Sequence, residues 1–218
     1  MEQVTIITHE QELLLNKFRE DKFLSSRFYF TGGTALSLHY LQHRRSIDLD
    51  FFTDAPFDPQ VILSIITNWG DELGFSVDYL VIEKTHVFNL IFRNKQAVKV
   101  DFAFYPYQQV KNCQMINDIK VDSQMDIAIN KLLTIEQRAE VKDFVDLYFL
   151  FKEFTIWDLL EGIKLKFKVK IDPFIIGSDF LKVENFDYLP QMLKPLTLKE
   201  LKAFYKQKAK QITGRFIE

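Results

Sequence analysis

Asp48 and Asp50 stand two residues apart in Ile47-Asp48-Leu49-Asp50-Phe51-Phe52, a run in which apolar and acidic residues alternate. Side chains two apart on a strand share a face. The alternation therefore predicts that both carboxylates emerge together while Leu49 faces the opposite layer. Adjacent carboxylates repel and raise each other's proton affinity unless a cation sits between them, and hard oxygen donors suit Mg²⁺ or Mn²⁺. Asp101, inside the strand-like run Val98-Lys99-Val100-Asp101-Phe102-Ala103-Phe104, adds a third acid. An isolated Asp-x-Asp is more often a solvated sheet surface. Here it follows Gly32-Gly33, the only adjacent glycines in the chain, by about fifteen residues. Those glycines sit where the strand-like Arg27–Thr31 runs into the helical pattern of Thr34–Leu41. Backbone N–H groups at such a turn hold phosphate, and glycines let an anion approach closely. A phosphate cradle beside metal-binding carboxylates is the equipment of nucleotidyl transfer.

The elements that position these residues follow from periodicity and turn chemistry. The spacing predicts an amphipathic helix over 9–24 and a second helix opening at Asp58 or Pro59 and closing near Gly70 or Gly74. Three strand-like runs follow at 75–82, 86–92 and 97–104, with Asn94-Lys95-Gln96 as a hairpin turn and Pro106 as the end of the block. Residues 123–153 lack Gly and Pro and are helical in spacing. Lys164, Lys166, Lys168 and Lys170 alternate with Leu165, Phe167 and Val169, which fits either a solvated edge strand or a helix end. The basic stretch 198–212 carries Lys199, Lys202, Lys206, Lys208 and Lys210 against Glu200. It fits an RNA-backbone contact or a solvated helix, and its Phe204 and Tyr205 either pack or stack on a base. The strand-rich front and helical back predict a catalytic core over 1–110 and a mainly helical region over 111–218.

Composition narrows the class. The chain has 218 residues, 28 Lys+Arg against 30 Asp+Glu, 47% hydrophobic and 27% charged residues, which is a globular balance. The resulting net charge of −2 excludes a uniformly basic coat. Thirteen Gly and Pro (7 + 6) exclude collagen-like and low-complexity readings. Cys113 is the only cysteine, which excludes a disulfide framework and a Cys-based zinc site. No apolar run approaches the roughly 20 residues of a membrane span, and the N-terminus carries no secretory pattern. The expectation is a cytoplasmic protein without membrane contact.

Gly32-Gly33-Thr34-Ala35-Leu36, with Tyr40-Leu41-Gln42-His43-Arg44-Arg45-Ser46 leading into the Asp48-Leu49-Asp50 pair, resembles the opening motif of the DNA polymerase β-like nucleotidyltransferase superfamily. More narrowly, it resembles the AbiEii/AbiGii toxin family of type IV toxin–antitoxin and abortive-infection systems. A second block matches in the same order: Asp126 to Leu133 with Lys131, then Arg138, then Lys142-Asp143-Phe144-Val145-Asp146 to Leu150. The resemblance spans roughly residues 28–151. It implies an α/β (α+β) fold, a mixed β-sheet flanked by helices with a C-terminal helical region that completes the nucleotide site. It implies Mg²⁺ or Mn²⁺ on Asp48, Asp50 and Asp101. The NTP would be held by Gly32, Gly33, Thr34, Arg44, Ser46, Lys131, Arg138 and Lys142, with Lys131 and Asp146 in catalytic roles. It also implies an RNA acceptor such as tRNA and a cognate antitoxin protein.

Three points stay open in the residues themselves. One unbroken helix would place Lys131, Arg138, Lys142 and Asp146 on one face and leave Asp143 off it. Either a break near Thr134–Ala139 reorients Asp143, or Asp143 is structural and Asp146 is the functional acid. Arg44 reads equally as a phosphate ligand and as a cation at a helix C-terminus. His39 and His43, at i and i+4, invite a zinc reading, but no third soft ligand accompanies them, which favours surface or half-buried histidines. Two further functions compete with RNA modification: transfer to a small hydroxylated molecule, and a non-catalytic interaction protein on the same scaffold.

Overall fold

The computed structural model describes residues 5–214. The chain divides into two compact units. One takes the chain up to Tyr40 with Ser46–Gln108 and Asn112–Asp122; the other takes Leu41–Arg45, Gln109–Lys111 and the chain from Ser123 onward.

In the first unit, α1 (His9–Glu20) starts from a Thr8–Gln11 capping box. Asp21 ends it and caps α2 (Lys22–Arg27), accepting from Leu24 N. The single helix expected over 9–24 is therefore two, because Asp21 offers its carboxylate to a new first turn. Then come β1 (Tyr29–Thr31), α3 (Gly32–Ala35) running on into a π-helical turn at Leu36–Leu41, and β2 (Asp48–Thr53). Helix α4 (Pro59–Leu73) is capped by Asp58, begins on Pro59 and ends at left-handed Gly74. Strands β3 (Phe75–Ile82), β4 (Thr85–Phe92), β5 (Ala97–Phe104), β6 (Gln114–Ile116) and β7 (Ile119–Val121) complete a seven-stranded mixed sheet in the order β3-β4-β5-β2-β1-β7-β6. The expected mixed sheet flanked by helices is the fold. The β6–β7 hairpin escaped the sequence reading although Asn117 and Asp118, both at positive φ, are its turn residues.

One face of this sheet is aromatic core. Phe51 of β2 stacks on Phe18 of α1 at 4.0 Å and on Phe102 of β5 at 5.3 Å, and Phe28 meets Phe102 edge-on at 5.1 Å. All four rings are buried, each contributing about 1.5–3 kcal/mol by burial. That packing fixes which face of β2 is left for polar groups.

The second unit is helical: α5 (Gln124–Gln137), α6 (Val141–Leu150), α7 (Ile156–Phe167), α8 (Pro173–Phe180), a 3₁₀ turn at Leu181–Asn185 and α9 (Leu198–Gly214). The two readings of Phe204 and Tyr205 resolve toward packing. Tyr205 is fully buried, donates to Phe144 O at 2.7 Å and sits 5.0 Å from the Phe144 and Phe180 rings, while Phe204 meets Tyr148 at 4.9 Å. Among the described residues no helix is long and apolar enough to cross a membrane.

The lysine alternation at 164–170 belongs to a helix end. Helix α7 runs to Phe167, and Lys168 closes it in the left-handed conformation. Lys166 is not the solvated side chain expected from the sequence: it is buried, with Nζ 2.8 Å from buried Asp126. Asp126 also accepts from Val110 N, Lys111 N and Ser123 Oγ. On a helix the buried face returns every three to four residues, so Ile163 and Lys166 share it. Removing one partner of a buried pair leaves an uncompensated charge. We expect Lys166→Ala to lower the unfolding free energy in urea by about 3–5 kcal/mol. Lys164→Ala, at an exposed pair with Glu161, should stay within about 0.5 kcal/mol of wild type.

Candidate active site

Strand β2 alternates as its sequence requires: Asp48, Asp50 and Phe52 are half-buried, while Leu49, Phe51 and Thr53 are buried. The parallel register with β5 sets Asp48 beside Lys99 and Asp50 beside Asp101; the antiparallel register with β1 sets Asp50 opposite Thr31. Three carboxylates and one ammonium thus share one sheet face. Asp101 Oδ2 accepts from Lys99 Nζ at 2.6 Å. Burial works against the charged form of Lys99, but the hydrogen bond to Asp101 and the negative charges of Asp101, Asp48 and Asp50 outweigh it and raise its pKa. This face stabilises a cation.

Gly32 stands against Asp50. Its φ is +74°, and a Cβ there would lie 2.0 Å from Asp50 Oδ2, so both the backbone conformation and the carboxylate demand glycine. Thr34 Oγ1 donates to the backbone carbonyl of Asp48, which ties the helix start to β2. Thr31 precedes the helix without capping it, because its hydroxyl donates to buried Asp122 Oδ2 at 2.7 Å. Asp122 is held in turn through Tyr40, whose hydroxyl donates to its backbone carbonyl. Burial, with the nearby Asp122 and Cys113, pushes the Tyr40 phenol up to about 12. Ser46 lies in the same unit, half-buried, with its carbonyl accepting from Gln11 Nε2 at 3.1 Å.

The second unit holds a charge cluster. Arg138 is extended (φ −148°, ψ 160°) and separates α5 from α6, so no unbroken helix carries the expected stripe. The break lets both acids of Asp143-Phe144-Val145-Asp146 meet Lys131: Nζ lies 2.6 Å from Asp143 Oδ1 and 2.7 Å from Asp146 Oδ2. Arg138 donates to Asp143 Oδ2 through Nε and Nη2 at 3.2 Å each. Arg44 binds Asp146 with both prongs, Nε at 2.6 Å and Nη2 at 2.8 Å, and its Nη1 donates to Arg45 O. His43 Nε2 completes the shell around Asp146 Oδ1 at 2.7 Å. Arg44, Lys131 and Arg138 against Asp143 and Asp146 leave this group at +1 with His43 neutral (3 − 2). Arg138 is its exposed end, and Lys142 of α6 is half-buried.

Burial opposes the charge on Asp146, yet Arg44 and Lys131 by their charges, with hydrogen bonds from Arg44 and His43, hold its pKa well below the usual carboxylate range. Burial likewise opposes the charge on Lys131, and Asp146 and Asp143 overcome it, raising that pKa. His43 goes the other way: burial outweighs the pull of Asp146 and lowers its pKa.

The chemistry of the acid face fits a hard divalent cation, with oxygen donors at adjacent register positions and a field that favours positive charge. Among the described residues no group of three His, Cys, Asp or Glu side chains converges as a metal-binding set; Asp101 faces the Lys99 ammonium instead. The zinc reading of His39 and His43 fails, because His39 packs edge-on against Phe30 in the first unit and His43 is bound to Asp146 in the second. Sequence reasoning did not find Lys99 or the part played by His43. The pairing of His43 with a residue 103 positions away has no local pattern.

A mixed sheet with paired acids on one face and a Gly-Gly helix start against them is the arrangement that the sequence resemblance to nucleotidyltransferases implies. Residues 13–215 match the family model described as nucleotidyl transferase AbiEii toxin, type IV TA system, and the chain belongs to that family. An uncharacterised protein of Aquifex aeolicus (strain VF5) is 35% identical over 191 residues, 84% of this chain and 87% of that one. The fold is shared with JHP933 from Helicobacter pylori at a TM-score of 0.60 and 19% identity, covering 96% of this chain and 94% of that one. It is shared also with the nucleotidyltransferase toxin MenT4 from Mycobacterium tuberculosis H37Rv, at 0.58 and 18%, covering 94% and 82%.

The cluster has a pH signature. A carboxylate whose folded-state pKa is depressed contributes its full stabilisation above the unfolded value of about 3.9 and loses it as pH falls through the folded value. Asp146→Asn should cost about 3–5 kcal/mol at pH 7, because it removes the buried negative charge that Arg44 and Lys131 share. In urea unfolding across a pH series, the gap between wild type and variant should stay constant above about pH 5 and close on further acidification.

Proposed function

We propose that this chain transfers a nucleotide from an NTP to an RNA acceptor, tRNA in particular, with Mg²⁺, as the toxin of a type IV toxin–antitoxin system restrained by a cognate antitoxin protein. The observation that carries this reading is the set of Asp48, Asp50 and Asp101 on one sheet face, with Gly32 seated against Asp50. Family membership supports the chemistry and the presence of an antitoxin in general.

In this reading Asp48 and Asp50 hold the divalent ion, with Asp101 completing its ligands or acting as base. When bound, the ion supplies charge neutralisation of the triphosphate and of the leaving pyrophosphate. The acceptor hydroxyl oxygen forms a bond to the α-phosphorus and gives its proton to a base, the Asp101 carboxylate or, where Asp101 is a ligand of the ion, water. The bond from the α-phosphorus to the bridging oxygen breaks, and pyrophosphate leaves. Backbone N–H groups at Gly32, Gly33 and Thr34, and the Ser46 hydroxyl, hold phosphate oxygens. In the second unit Lys131, Arg138 and Lys142 supply positive charge for phosphates. Asp143 and Asp146 orient Lys131, and Arg44 and His43 orient Asp146. On α9, Lys199, Lys206 and Lys210 are exposed at helical spacing and are proposed to meet the RNA backbone.

The test is incubation with each labelled NTP and total RNA, with Mg²⁺ or with EDTA. Label should enter RNA only with Mg²⁺, and Asp48→Asn should lower the rate about a thousandfold or more while leaving the melting temperature within a few degrees of wild type. Exchanging Lys199, Lys206 and Lys210 for Gln should flatten the salt dependence of RNA binding. A rate for Asp48→Asn near wild type removes the two-carboxylate mechanism. Label that enters small hydroxylated molecules and no RNA makes those the acceptors.

A further inference from the structure

The acid face carries a second feature. Phe52 shares it with Asp48 and Asp50, two residues further along β2, about 6.6 Å by strand rise. Tyr29 of β1 stands opposite Phe52 in register, their rings 6.3 Å apart. Tyr105, just past the end of β5, continues the ladder by donating its N–H to Thr53 O, and its ring lies 4.9 Å from Phe52. Tyr107 follows at 4.8 Å from Tyr105. Four aromatic rings thus form a continuous row abutting the carboxylates, all in the first unit.

This row differs from the aromatics on the other face. Phe18, Phe28, Phe51 and Phe102 are fully enclosed; Phe52 and Tyr105 are half-buried, and Tyr107 is 39% exposed. Tyr29 is buried beneath the row, while Tyr105 and Tyr107 carry hydroxyls that tolerate water at one edge while the ring stays apolar. The four side chains of the row carry no charge of their own, a chemistry that suits a neutral flat ring beside the acids better than a phosphate. Stacking on such rings accepts any base, because every base presents a π-face.

We propose that Phe52, Tyr105 and Tyr107, floored by Tyr29, form a stacking shelf for an unpaired nucleobase held next to the reacting phosphate. The inference rests on the nucleotidyl-transfer reading and names what lies beside its carboxylates. The base has two sources, the incoming NTP or the end of the acceptor RNA.

The experiment compares wild type, the Tyr105→Leu/Tyr107→Leu double variant and Tyr105→Trp by calorimetric titration with Mg²⁺ present. The probes are inorganic tripolyphosphate, each NTP, a short single-stranded RNA, and the same RNA with an abasic 3′ end. Leucine keeps apolar bulk and removes the π-face; tryptophan keeps the face and controls for folding. The double variant should bind NTP, or the base-bearing RNA, about tenfold more weakly. Tyr105→Trp should match or exceed wild type, and tripolyphosphate affinity should not move. A loss confined to NTP assigns the shelf to the donor base; a loss confined to RNA, and absent for the abasic RNA, assigns it to the acceptor. Equal affinities for all probes in the double variant overturn the shelf while leaving the transfer reading intact. An equal loss for tripolyphosphate and NTP overturns it too, since the effect is then not specific to a base. A wild type that binds none of the four probes overturns both.

Discussion

The register of β2 between β1 and β5 is the constraint on which the site depends. Side chains alternate along a strand, so a slip of one residue would turn Asp48 and Asp50 into the aromatic core and expose Leu49 and Phe51. The core opposes the slip: Phe51 stacks on Phe18 and Phe102, and a slip would replace that buried ring with a carboxylate. Gly32 adds a local lock, because only a residue without a side chain lets the helix start sit against the Asp50 carboxylate. Like charges set side by side are unfavourable unless compensated, and Lys99, beside Asp48 and bonded to Asp101, supplies that compensation in this structure. Hydrophobic packing on one face therefore holds an electrostatically demanding arrangement on the other.

The second unit solves a related problem by direct pairing. Asp143 and Asp146 are fully buried, and each is enclosed by cations, Lys131 and Arg138 around the first and Lys131 and Arg44 around the second, where the neutral His43 ring adds a hydrogen bond. Buried ion pairs of this kind are poor sources of net stability, because desolvation consumes much of the attraction. What they provide is a fixed geometry for Lys131 and a surplus positive charge that ends at exposed Arg138. Lys166 and Asp126 repeat the principle without any surplus, joining α7 to α5 and to the 109–111 segment.

The parts of the molecule written in local chemistry were legible in the sequence. Alternation over 47–52 located β2 and its acid face, Asp58-Pro59 and Gly74 bounded α4, and the glycine pair marked the strand-to-helix turn. The parts set by distant contacts were not. Nothing between Thr134 and Glu140 is Gly or Pro, so the break at Arg138 was one of two alternatives; with it, both acids reach Lys131. Lys166 looked solvated because alternation counts residues in twos, whereas its helix buries one face at a longer period. His43 looked incidental because its partner is remote in sequence. The β6–β7 hairpin was legible in Asn117-Asp118 and was overlooked.

The claim that the acid face of β2 and β5 binds a divalent ion with a nucleotide is tested most directly by electron paramagnetic resonance of Mn²⁺ added with a non-transferable α,β-methylene NTP analogue. Wild type should change the spectrum of the Mn²⁺–analogue complex from the one recorded without protein, and Asp50→Asn, which keeps the side-chain volume and lowers the ligand charge, should leave it close to that protein-free spectrum. Wild-type protein that leaves the Mn²⁺–analogue spectrum unchanged, or Asp50→Asn that changes it as wild type does, would contradict it.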